Sequence, residues 1–64
     1  MEDYIIYEID KKETWFVERY DYDGHVYLTS NIDEVKLFGK REAELIAEKV
    51  GMLFIKFLFY TRGD

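Results

Sequence analysis

The sequence predicts a small α+β fold: an antiparallel sheet in the order β-β-β-short helix-α-β, with one main helix packed on one face. Three observations predict it. Between residues 4 and 29, three runs rich in β-branched and aromatic residues are separated by short polar turns. Lys40 to Val50 then sets Ala43, Ile46, Ala47 and Val50 at i, i+3, i+4 and i+7, which is one helical face. After Gly51, Met52 to Tyr60 holds eight apolar residues in nine, interrupted only by Lys56.

Taken in order, Tyr4 to Ile9 reads as the first strand, with Ile5, Tyr7 and Ile9 on one face and Tyr4, Ile6 and Glu8 on the other. Asp10 to Glu13 forms a wholly charged connection of four residues, and Thr14 to Tyr20 resumes the strand pattern as the second arm of a hairpin. Trp15 and Val17 share one face of that arm; Phe16, Glu18 and Tyr20 share the other. Asp21-Tyr22-Asp23-Gly24 supplies the Asp-Gly pair of a tight hairpin turn and leads into a third strand, His25 to Thr29. Ser30 or Asn31 is placed to cap a short helix carrying Ile32, Val35, Leu37 and Phe38. Gly39 serves as N-cap of the main helix, with Glu42 in its first turn complementing the dipole. Gly51 ends that helix where a left-handed residue is needed. The closing apolar run returns to the sheet, beside the first strand or centrally rather than at an open edge. The chain is thus expected to form one domain, 1–64: an acidic β-meander over 1–34, a helical segment over 35–51, a final strand over 52–60 and a tail over 61–64.

Composition narrows the function classes. A chain of 64 residues buries only about 60% of its unfolded surface, so its core is marginal. With no cysteine, disulfides and thiolate metal sites are excluded, and the single histidine excludes a His-rich metal cage. Aromatic burial remains: six Tyr, five Phe and one Trp supply large apolar area from few residues. The acidic start MEDY lacks the pattern of a signal peptide, and no apolar run approaches the ~20 residues of a membrane span. The expected location is therefore cytoplasmic. Net charge is −5, unevenly spread: residues 1–34 hold ten acids against three bases, and residues 35–64 hold four against six. Such a front half repels nucleic acid and anionic membranes.

No constellation supports catalysis. Setting Gly24 at the sixth position of a calcium loop puts Arg19 and Ser30 where carboxylates are required, so Asp21 and Asp23 read as turn residues. His25 has no cysteine to pair with, and the serine and threonines stand at caps, turns and strand ends. The glycines are too dispersed for a phosphate loop. The reading is no enzyme, no cofactor and no metal.

The segment Tyr27-Leu28-Thr29, Ile32, Val35-Lys36-Leu37-Phe38, Glu42-Ala43 and Ile46-Ala47 resembles small uncharacterised proteins encoded by phages and prophages of Gram-positive bacteria. It departs from their pattern at Val35, where alanine is usual, and at Gly39, where a serine or threonine cap is usual. The resemblance spans about a third of the chain. It implies a phage origin and action in the host cytoplasm, and it supplies no active site.

The expected function is a non-enzymatic protein-binding module, an accessory or anti-defence inhibitor that meets a host or defence protein. An acidic surface of Glu18, Asp21 and Asp23, within the wider set that includes Asp10 and Glu13, would face a basic partner. Tyr4, Phe54 and Tyr60 would form an aromatic sheet face at the interface, since one helix covers only one side of a sheet with apolar groups on both. A homodimeric assembly protein using that face is the alternative. A single-stranded nucleic-acid binder is the third reading, disfavoured by the negative charge.

Overall fold

The computed structural model describes residues 3–21 and 23–59. Four antiparallel strands, β1 (Tyr4–Asp10), β2 (Glu13–Tyr20), β3 (Val26–Thr29) and β4 (Leu53–Lys56), lie in the order β3-β2-β1-β4. One helix, α1 (Lys40–Val50), rests on β1 and β4. This is the small α+β fold the sequence predicts.

The core forms where the two periodicities meet. Ile6 and Val17 from the sheet pack with Ala43, Ile46 and Ala47 from α1 and with Phe38, and all six are buried. Burying each of the larger side chains contributes about 1.5–3 kcal/mol. Val50 and Met52 pack against this cluster, as the helical spacing requires. Helix termination follows from Gly51, whose φ of 74° lets its own N–H reach the Ala47 carbonyl. The Met52 N–H donates to the same oxygen at 2.8 Å, the six-to-one bond of a Schellman closure.

Several local expectations are corrected. The first hairpin loop is two residues, not four: Asp10 pairs with Glu13, leaving Lys11 and Lys12. Lys11 carries a φ of 58°, the positive value that a two-residue turn needs to match strand twist. In β2 the register slips between Val17 and Arg19, so a bulge at Glu18 turns Tyr20 to the face of Val17, where it packs on the core. The Asp-Gly turn is a wider loop over 21–25, with Gly24 at a φ of 95°.

The segment expected to be helical from residue 35 is instead extended until Gly39. Only Ile32–Glu34 forms a 3-10 turn, capped by Asn31, whose Oδ1 accepts from the Asp33 N–H at 2.9 Å. Beyond it, the Lys36 N–H donates to the Val17 carbonyl, and Phe38 and Tyr4 exchange both backbone bonds. The chain here fills the gap where β1 and β2 diverge. Those bonds hold it extended, and they place the Phe38 ring in the core.

The final strand is shorter than 52–60. It lies beside β1 as expected, yet at a sheet edge. Tyr4 opposite Lys56 is its last pair; the Phe57 N–H then donates to the Asp3 carbonyl, and Phe57–Phe59 closes into a 3-10 turn. Where β1 begins, β4 loses its ladder.

Candidate functional site

The face of the sheet that carries the core continues past it. Residues alternate faces along a strand, and directly paired residues share one. Ile6, Glu8 and Asp10 therefore form one row on β1, and Val17, Trp15 and Glu13 form the matching row on β2, with Glu8 opposite Trp15 and Asp10 opposite Glu13. Ile6 and Val17 lie under the helix-side core. Trp15 and Glu8 are half-buried, and Asp10 and Glu13 are exposed. The result is an indole bordered by three carboxylates. A groove of about 450 Å³ is lined there by Asp10, Lys11, Lys12, Glu13 and Trp15.

One feature of this end works against stability. Asp10 and Glu13 are like charges placed directly across the ladder, an arrangement that destabilises an antiparallel pair. Neither joins an ion pair among the described residues, where the pairs are His25 with Asp21 and Lys56 with Asp3. Glu8, Asp10 and Glu13 against Lys11 and Lys12 leave this end a net charge of −1, and it offers a π-face and carboxylate acceptors to a cation. A Lys or Arg side chain seated on an indole within about 6 Å is attracted by its quadrupole, and carboxylates beside it add charge-assisted hydrogen bonds.

The acids named from sequence divide between the two ends of β2. Asp10 and Glu13 stand at the hairpin tip. Glu18 lies at the bulge, and Asp21 and Asp23 lie in the loop beyond Tyr20, roughly 25 Å from Glu13 at the rise of an extended strand. Glu18 and Asp23 are exposed. Asp21 is engaged within the chain: its Oδ1 accepts from the Asp23 and His25 N–H groups, each at 3.1 Å, and lies 3.5 Å from His25 Nδ1. The His25 backbone hydrogen bond, chief among these contacts, holds its carboxyl below the usual aspartate value against a smaller opposing effect of burial. Reversing Asp21 would therefore remove the acceptor that ties its loop together.

The aromatic candidates are placed differently from expectation. Tyr4 and Phe54 pack against the core cluster, with ring centroids 6.3 Å apart, so they serve the interior of the helix side. Tyr60 lies outside the described residues. On the opposite face Ile5 and Phe16 are buried, while Ile9 and Leu53 remain 64% and 54% exposed. That face is part core and part surface.

Sequence reasoning passed over Glu8 and Trp15 as a pair, although the signal was present. A charged connection from Asp10 to Glu13 sets Ile9 opposite Thr14, and the same register sets Glu8 opposite Trp15. It also passed over Leu45, an apolar residue on the outer side of α1 that is 58% exposed.

Among the described residues no group of three or more His, Asp or Glu is arranged to hold a metal, and no helix is long and apolar enough to cross a membrane. No protein-family model, curated protein or solved structure matches the chain.

Proposed function

We propose that this chain is a non-enzymatic protein-binding module that seats a basic side chain of its partner on Trp15, between Glu8 and Glu13. The observation that carries this reading is the strand register. It gathers an indole and three carboxylates on the part of the sheet beyond the core, and it tolerates an unfavourable Asp10–Glu13 pair there. A basic partner would relieve that repulsion. The excess of acids over residues 1–34 would speed encounter with such a surface and make it salt-sensitive. Together with the resemblance to phage proteins, this reading extends to an accessory factor that covers a basic surface of a host or defence protein in the host cytoplasm.

The chain contains one tryptophan, so the site reports on itself. Titrating the protein with a short arginine-rich peptide should change Trp15 fluorescence saturably, and the apparent affinity should fall as salt is raised. Glu8→Gln with Glu13→Gln should abolish the response while leaving the melting temperature unchanged or higher. Fluorescence indifferent to the peptide at low salt would reject the reading.

A further inference from the structure

The outer side of α1 carries a charge pattern that matches its own reverse. At 100° per residue, Leu45 lies at the centre of this side, with Arg41 and Glu48 to one flank and Glu42 and Lys49 to the other. All five are exposed. Leu45 borders a shallow groove of about 220 Å³ that it lines with Tyr20, Glu42, Ile46 and Lys49. The ion pairs among the described residues lie elsewhere, at Asp21–His25 and Asp3–Lys56, so these four charges have no ion-pair partner among the described residues.

We infer that two copies of this chain associate through α1, antiparallel about a two-fold axis, with Leu45 against its counterpart. The symmetry decides the pairing. A two-fold perpendicular to antiparallel helices reverses position along the axis and keeps each flank on its own side. Glu42 stands about 4.5 Å before Leu45 and Lys49 about 6 Å after it, at 1.5 Å per residue. Glu42 of one copy therefore meets Lys49 of the other, and Arg41 meets Glu48 on the opposite flank. Each contact occurs twice, so four attractive pairs ring a leucine centre and no like charges meet. A parallel two-fold pair would exchange the flanks and set Arg41 beside Glu42 and Glu48 beside Lys49, also of opposite sign, so the orientation is chosen by the helix dipoles, which oppose each other only in the antiparallel pair. The helix spans about 16 Å, and two such surfaces bury less than the ~1,000 Å² of a stable complex. The dimer is therefore transient. It leaves the Trp15 end of the sheet free, so it is independent of partner binding there.

Sedimentation velocity from about 10 μM to about 1 mM, the range of weak interfaces, tests the inference. The wild-type chain should move from monomer to dimer with rising concentration, and high salt should weaken the association. Leu45→Ser should weaken it at least tenfold. Glu42→Lys alone and Lys49→Glu alone should each stay monomeric, because each places like charges in contact. An equimolar mixture of these two variants should dimerise again, since every pair is then of opposite sign. Circular dichroism of each variant should match the wild type, the substituted positions being exposed. A wild-type chain that is monomeric throughout, a dimer that survives Leu45→Ser, or a mixture that associates no better than its components would each overturn the inference.

Discussion

The side-chain row that runs Ile6–Glu8–Asp10 on β1 and Val17–Trp15–Glu13 on β2 changes character along its length. At one end Ile6 and Val17 are fully buried with Phe38 and the α1 alanines. At the other, acids border a half-buried indole and two of them oppose each other. The same strands, in the same ladder, supply stability where α1 and Phe38 cover them and polarity beyond that cover. In so short a chain the helix anchors one end of the sheet, and the uncovered end holds acids beside a half-buried indole at modest cost to folding.

The largest losses are expected at the covered end. Phe38→Ala removes the largest side chain of the core and should cost about 3–5 kcal/mol, read from a denaturant melt. A loss under about 1 kcal/mol would show that the cover is not where stability resides. Ile46→Ala, from the helix side of the same cluster, should cost about 2–5 kcal/mol. Gly51→Val should cost about 1–2 kcal/mol or somewhat more, from backbone conformation alone, because no atom lies within 4 Å of where its Cβ would stand. An unchanged melt would contradict the left-handed closure of α1.

Smaller effects are expected away from the core. Lys11 holds a positive φ, so Lys11→Gly should be neutral or raise stability by up to about 1 kcal/mol, relief of strain exceeding the entropy of glycine. Acid should loosen the 21–25 loop. The folded value of Asp21 is depressed, so its contribution is present above the unfolded value near 4 and is lost as pH falls through the lower folded value. The amide signals of Asp23 and His25 should follow that titration in NMR spectra. A midpoint at or above the ordinary aspartate value would contradict the hydrogen bonding described.

Much of this architecture was legible in the sequence, and the misreadings share a cause. The helix bounds, its buried face and the Gly51 closure follow from local periodicity and backbone chemistry, which a sequence displays directly. The extended course of 35–38 does not, because it depends on backbone bonds to Val17 and Tyr4, residues distant in the chain. The apolar spacing of Ile32, Val35 and Phe38 suits a helix equally well until those partners are known. The Glu18 bulge reverses the face of Tyr20 and leaves no signature in alternation. The end of β4 is set by where β1 begins, which its own apolar run cannot express. At the candidate site, counting acids grouped residues that β2 holds far apart. Reading the hairpin register instead assembles Glu8, Asp10, Glu13 and Trp15.

Asp10→Lys tests the central claim most directly, with thermal stability and arginine-peptide affinity measured on the same sample. The substitution converts a like-charge cross-strand pair into an opposite one, worth about 0.2–1 kcal/mol to the fold, and removes a carboxylate from the Trp15 site. The melting temperature should rise and peptide binding should weaken together. A variant that loses stability, or that gains it and binds the peptide as well as the wild type, would contradict that claim.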